Sequence, residues 1–197
     1  MNDNEFRDKY ANLVLHYNSL LGDIYEQPDD PGHTSMAIEI ITKWLPIATS
    51  VKSVLDVGCG TGFLQETFES FGKEYTGITL GEDFLVAKNL GRNVYNMDFN
   101  FLEFPDSSFD LIFSRHSLEH SPFPLLTLME WYRVAKDFLL LVLPTPLAYG
   151  WGGQNHYSVM ELEQAKFLLR RAGWKPIWDN ENEKKEIRLF CEKIRYK

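Results

Sequence analysis

Three scarcities narrow the field before any motif is read. Only two cysteines, Cys59 and Cys191, occur in 197 residues, too few for a disulfide framework. Cys59 stands inside a glycine-rich loop, so a bridge is not expected and a reducing compartment is. Long apolar runs are missing. "FLLLVL", residues 138–143, is the longest, far short of the roughly 20 residues that a membrane-spanning helix needs. The first twenty residues are polar and charged, without the apolar centre of a signal peptide. A cytoplasmic protein with no membrane partner is expected. Basic residues are outnumbered, 20 against 28 acidic ones, for a net charge of −8. A duplex-binding surface needs cations that displace counterions from phosphate, so no nucleic-acid partner is expected either. The basic tail "RLFCEKIRYK" alternates and reads first as an edge strand.

What is present is the balance of one globular domain, 44% apolar and 24% charged, with enough chain for a full core. From Lys52 onward strand-like and helix-like segments alternate. "SVLDV", "YTGITL", "NVYNM", "FDLIFS" and "FLLLVL" read as strands. "FLQETFESFG" carries Leu64, Phe68 and Phe71 at helical spacing and stops at Gly72. "EDFLVAKNLG" is helical and stops at Gly91. Leu125, Leu128, Met129 and Tyr132 form one apolar helix face, with Pro122 and Pro124 where that helix begins. Such alternation implies a doubly wound parallel sheet with helices on both faces. Residues 1–50 read as a helical extension or lid, in which Met36, Ile40, Ile41, Trp44 and Leu45 share a face and "EQPDDPGH" is a loop. Residues 51–197 form the main domain, within a single compact unit. Residues 144–157 form a long Gly/Pro/aromatic loop, and loops of that length are commonly functional. Ser158 and Glu161 are spaced as a capping box, opening a helix that ends at Gly173.

The strongest motif is "VLDVGCGTGFL", Val54–Leu64, a strand running through Gly58, Gly60 and Gly62 into a helix. Glycines there let the backbone approach a ligand at a helix N-terminus. The spacing is G-x-G-x-G, not the G-x-G-x-x-G of a dinucleotide site. Asp56 would also repel a pyrophosphate. A ligand bearing an ammonium or sulfonium group suits an acidic loop better, and S-adenosylmethionine carries both. Asp56 could equally tie the loop amides together, and the two roles are compatible.

This stretch resembles motif I of the class I S-adenosylmethionine-dependent methyltransferases, methyltransferase type 11-like. The resemblance continues through "NMDFNFLEFPDSSFDLIFSRHSLEH", "WYRVAKDFLLLVLP" and "LLRRAGW", covering about residues 52–180. It implies a Rossmann-like mixed sheet of seven strands whose last, "EIRLFCEKI", is antiparallel and inserted beside "WKPIWD". It implies that Asp56, Gly58 and Gly60 lie under the methionine end of the cofactor, with Cys59 and Phe63 in the same loop. Asp98 would accept from the adenine amino group, Met97 and Phe99 would flank the ring, and Ser114 and Arg115 would lie beneath the sulfonium. Thr79, followed by Leu80, occupies the place where the family usually has a ribose-binding carboxylate. A hydroxyl cannot replace that charge, and Glu82 or Asp83 one turn later offers a substitute or simply favours the next helix's N-terminus.

"FSRHSLEHS" contains His116, Glu119 and His120 in an H-x-x-E-H array, a zinc-hydrolase signature. That chemistry needs both imidazoles on one face of a long helix. A strand precedes and prolines follow, so at most one turn fits, and no metal is expected. His120 is expected to brace the loop. His116, at the carboxyl end of the fourth strand where open α/β sheets bind ligands, is the first candidate for contact with the acceptor. His156 and Tyr157 are the next, and Tyr149 and Trp151 suggest a ring-containing acceptor. A general base would help only a hydroxyl acceptor. The expected function is methyl transfer from S-adenosylmethionine to a small molecule, with S-adenosylhomocysteine as product. A degenerate fold acting as a binding module and a nucleotide-dependent oxidoreductase are the alternatives.

Overall fold

The computed structural model describes residues 3–21, 31–46, 48–146, 155–181 and 186–195. The elements in chain order are α1 (Asp3–Leu21), α2 (Pro31–Trp44), β1 (Ser53–Val57), α3 (Gln65–Ser70), β2 (Glu74–Thr79), α4 (Gly81–Asn89) and β3 (Val94–Asn96). Then follow β4 (Phe109–Arg115), a 3₁₀ turn (Leu118–His120), α5 (Pro124–Val134), β5 (Ala135–Pro144), α6 (Leu162–Arg171), β6 (Trp174–Glu181) and β7 (Glu186–Lys193). The seven strands lie in the order β3-β2-β1-β4-β5-β7-β6. β7 runs antiparallel to both neighbours, and the pairs from β1 to β5 are parallel. The strand order reverses between β1 and β4, which opens a crevice at their carboxyl ends.

Alternation along each strand builds two cores. Leu55, Val57, Ile112, Leu139 and Leu141 face α5 and α6 with Trp131 and Trp174. Val54, Leu111, Phe113, Leu140 and Val142 face α2 and α3 with Ile40, Ile41 and Phe68. Every residue of β4 is buried, as a central strand covered on both faces requires. α2 belongs to the second core, and Trp44 stacks on Phe190 at 5.0 Å. Among the described residues no helix is long and apolar enough to cross a membrane. Both cysteines are buried and free of a disulfide.

Three local expectations change. "RLFCEKI" lies mostly in β7, which is interior; the edge strand is β6, which also tolerates Pro176 because an edge need not donate every N–H. The charges that suggested exposure are paired instead: Glu186 and Arg188 are both buried. Ser158 and Glu161 form no capping box. α6 begins at Leu162 with no side-chain cap, and the Ser158 hydroxyl donates to the Ser121 carbonyl. Of "EQPDDPGH", residues 31–33 already belong to α2; the rest lies outside the described residues, as do Tyr149 and Trp151.

Candidate active site

β1 delivers the chain into a turn at Gly58, Gly60 and Gly62, with φ of 69°, 55° and 73°. At Gly58 the demand is steric as well as torsional: a Cβ there would sit 2.1 Å from Ser117 Oγ. Ser117 occupies that space because its hydroxyl donates to the Val57 carbonyl at 3.0 Å, joining the ends of β1 and β4. From the other side, the Gly58 and Cys59 amides both donate to the Ile78 carbonyl at 3.0 Å. The loop is thus clamped between β2 and β4 before any ligand arrives.

Asp56 is buried, and the Tyr75 phenol donates to its Oδ2 at 3.0 Å. Burial pushes the carboxyl up to about 7, against the pull of that hydrogen bond. Gly77 makes the arrangement possible, since a Cβ there would lie 2.7 Å from both the Tyr75 hydroxyl and Cys59 Sγ. A buried carboxyl with no cationic partner among the described residues is the chemistry that a ligand ammonium group would complete. At the end of β2, Thr79 and Leu80 are half-buried, and Glu82 and Asp83 occupy the first turn of α4. Phe63 is likewise half-buried, following the glycine turn.

Asp98 follows β3, with Met97 and Phe99 packed against the first core. Its Oδ1 accepts from the backbone N–H and the side-chain amide of Asn100, both at 2.9 Å. Its Oδ2 accepts from the Tyr17 hydroxyl at 2.5 Å, and the Asn100 amide also donates to Tyr17 at 2.8 Å. The Tyr17 ring rests against Phe101 and Phe123. α1 is therefore anchored on the residue expected at the adenine. Asn100 in turn accepts from the hydroxyls of Ser121 and Thr127 at 2.6 and 2.5 Å.

At the end of β4, alternation sends Ser114 and Arg115 to opposite faces. Ser114 Oγ is buried and has no hydrogen-bond partner among the described residues, a vacancy on the ligand's expected path. Arg115 turns away from that path, and its guanidinium grips Glu186 Oε1 through Nε at 3.1 Å and Nη2 at 2.7 Å. His116 then adopts φ of 52°, uncommon for a residue with a side chain. Its amide donates to Val142 at 3.0 Å, and its Nε2 lies 3.1 Å from Glu186 Oε1.

The histidines of H-x-x-E-H therefore diverge. His116 engages β7, whereas His120 Nδ1 lies 3.1 Å from the Asn155 carbonyl and its ring meets His156 edge-on at 4.8 Å, with Glu119 beside the pair. The turn is stitched to the segment after β5 by this bond and by the Ser158 amide, which donates to Glu119 at 2.9 Å. Desolvation pushes the His120 imidazole down to about 4 and the Glu119 carboxyl up to about 8. Glu119 Oε2 and His156 Nδ1 are buried without hydrogen-bond partners among the described residues. Tyr157, next to His156, is 44% exposed.

Tyr17, Tyr75, Asn100, Ser117 and Glu186 were not legible as site residues. Glu186 offered one signal: two opposite charges, Glu186 and Arg188, stand on the same face of an otherwise apolar strand. The partner, Arg115, is 71 positions away in sequence and no local pattern points to it.

Residues 55–140 match a methyltransferase domain family. An O-methyltransferase of ubiquinone biosynthesis from Coxiella burnetii (strain Dugway 5J108-111) is 39% identical over 129 residues, 62% of this chain and 49% of that protein. The chain spans about half the length of the curated relatives it matches. A SAM-dependent methyltransferase from Aquifex aeolicus superposes with a TM-score of 0.67 at 24% identity, over 84% of this chain and 95% of that one. The [4+2]-cyclase SpnF superposes with a TM-score of 0.68 at 16% identity, over 96% and 95%. At such identities the superpositions speak for the fold, and the cyclase shows that this fold is not tied to one chemistry. With the acidic glycine loop, the sheet order and the matched domain all in agreement, residues 55–140 carry a methyltransferase domain, set in a seven-stranded sheet of the fold that the S-adenosylmethionine-dependent methyltransferase neighbours share.

Proposed function

We propose that this protein transfers a methyl group to an oxygen of a small hydroxylated aromatic acceptor. The observation that carries the reading is the His116 imidazole, held at the carboxyl end of β4 by Glu186 of β7. Burial, and secondarily the Arg115 charge, lower its proton affinity against the hydrogen bond that it donates to Glu186, so the ring is neutral near neutral pH and able to take a proton. The relatives named as O-methyltransferases support oxygen as the methylated atom.

S-adenosylmethionine, when bound, supplies an electrophilic methyl group on a sulfonium. Asp56, Gly58, Cys59, Gly60 and Phe63 would hold its methionine end, Thr79 and Leu80 its ribose, and Met97, Asp98 and Phe99 its adenine. Ser114 would lie beneath the reacting centre, whereas Arg115 faces away from it in its ion pair with Glu186. His116 would take the acceptor's hydroxyl proton as that oxygen gains the methyl group and the methyl–sulfur bond breaks, with neutral S-adenosylhomocysteine as the leaving group. His156 and Tyr157 would border the acceptor side, and α1, anchored on Asp98 through Tyr17, would cover the adenine side. Positioning and exclusion of water supply the rest of the acceleration.

The test is isothermal calorimetry with S-adenosylhomocysteine, followed by product formation from S-adenosylmethionine and 3,4-dihydroxybenzoate. His116→Ala should lower turnover by roughly 10²–10⁴-fold, the usual worth of a general base, with the S-adenosylhomocysteine Kd little changed. Full turnover by the variant would pass the role to His156 or Tyr157. Absence of S-adenosylhomocysteine binding would favour a binding module, the reading that Thr79 in place of a carboxylate supports.

Tyr17 supplies a second measurement. Its hydroxyl occupies the Asp98 oxygen that the adenine amino group would use. Tyr17→Phe keeps the ring against Phe101 and Phe123 but removes the competitor. S-adenosylhomocysteine should bind about tenfold more tightly, equivalent to about 1.4 kcal/mol, within the range of one hydrogen bond to a charged group. Weaker binding would make Tyr17 part of the closed cofactor site.

A further inference from the structure

We infer that Glu186 is the positioning residue for His116, fixing the imidazole as the tautomer protonated on Nε2, with its lone pair on Nδ1. This rests on the proposed O-methyl transfer for its chemical purpose, but not for its geometry. Glu186 is wholly buried at the start of β7. Its Oε1 receives Nε and Nη2 of Arg115, and its Oε2 receives Nε and Nη2 of Arg188 at 3.1 and 3.0 Å. A guanidinium is a donor only. Two of them on one carboxyl group require it to be the carboxylate, which then offers no proton to a third neighbour. The contact at 3.1 Å between His116 Nε2 and Oε1 can therefore be made in one sense only: Nε2–H donates, and the lone pair of the neutral ring resides on Nδ1.

The backbone supports the same assignment. His116 sits in the left-handed region with φ of 52°, a conformation that a residue with a side chain retains only when its surroundings hold it. The amide bond to Val142 holds the main chain, and Glu186 holds the ring. The sheet explains how residues 70 positions apart meet. Arg115 on β4 and Arg188 on β7 are both in register with Val142 of β5 between them, on the α2 face, and Glu186 lies two residues before Arg188 on that face. Against the upward push of burial, the hydrogen bond from His116 and the charge of Arg115 hold the Glu186 carboxyl down at about 2, so its charge persists over any working pH. The charged or titratable groups that face His116 are Arg115 from β4, Glu186 from β7, His156 from the segment after β5 and His120 from the turn.

The experiment is nitrogen NMR of the full chain labelled at histidine, with His116→Ala used to assign the resonance. In the wild-type protein near neutral pH, His116 should show a protonated Nε2 and an unprotonated Nδ1. In Glu186→Gln the amide can donate as well as accept, so the tautomers should mix. The acid limb of the pH–rate profile with 3,4-dihydroxybenzoate should move to lower pH, because the anion that favours the imidazolium is gone. Turnover should fall roughly 10–100-fold, as for other residues that orient a functional imidazole, with the KM for S-adenosylmethionine little changed. If Glu186→Gln does not fold, Glu186→Asp decides the matter. It keeps the charge for both arginines but withdraws it by one methylene, and the same mixing of tautomers is expected. A wild-type ring protonated on Nδ1, or a tautomer unmoved in whichever variant folds, overturns the assignment whatever happens to turnover. Failure of the O-methyl reading is distinct: the wild-type protein would then form no O-methylated product from 3,4-dihydroxybenzoate while the tautomer result stood.

Discussion

Gly58→Ala is expected to cost this protein both its cofactor site and much of its stability. The residue holds φ of 69°, which for an L side chain costs roughly 1–2 kcal/mol. Its new Cβ would press on Ser117 Oγ and on Ser117 Cβ, at 2.1 and 2.7 Å. Those atoms cannot yield cheaply, because the Ser117 hydroxyl bridges the carbonyls of Val57 and Arg115. Forcing extra volume into such a place costs roughly 1–3 kcal/mol more. A total loss of about 2–5 kcal/mol should appear in a denaturant melt, with no measurable S-adenosylhomocysteine binding by calorimetry. Adding Ser117→Gly should recover the steric part of the loss and leave the torsional part. Wild-type affinity in the single variant would remove the loop from the cofactor site.

Glu119→Gln should stabilise the protein, and only above mildly acidic pH. Glu119 is 1% exposed, and burial raises its carboxyl from 4.5 to about 8, beyond what its own backbone N–H and Arg115 pull back. The folded state therefore keeps a proton that the unfolded chain has already released across that window. Stability must fall as pH rises from about 4.5 to about 8. The integrated loss is about 3–5 kcal/mol at roughly 1.4 kcal/mol per pH unit. Glutamine has the shape of the protonated acid and cannot ionise. Melts at about pH 5 should nearly coincide for the two proteins, and those at about pH 8 should separate by a few kcal/mol in favour of the variant. Asp56, raised from 3.8 to about 7, should leave a shallower decline in both. Equal slopes would show that Glu119 is ionised in the folded protein.

Much of the architecture was readable because it depends on short-range patterns. Strands covered on both faces need near-continuous apolar runs, as the centres of β4 (residues 111–113) and β5 (residues 138–143) have, and Gly72, Gly91 and Gly173 mark the ends of their helices. The glycine loop was readable because its chemistry is local. Ser158 was misread because a hydroxyl has several possible acceptors, and the Ser121 carbonyl, 37 positions away, is invisible to spacing rules. β7 was first read as an edge for a similar reason. Alternating charge normally means solvent on one face, but here Glu186 lies between Arg115 and Arg188 in the interior. The divergence of His116 and His120 follows from one torsion, the left-handed φ of His116, which no composition rule anticipates.

The polar contacts running from Tyr17 through Asp98 and Asn100 to Ser121, and on to Ser158, cross the mouth of the sheet without interruption. Each end belongs to a different covering segment: Tyr17 to α1, Ser158 to the approach to α6. Ser121 serves both segments, its hydroxyl toward Asn100 and its carbonyl toward Ser158, so a shift of that one residue disturbs both. A ligand that claims Asp98 from Tyr17 alters what Asn100 can offer Ser121, whose carbonyl holds the far cover in place.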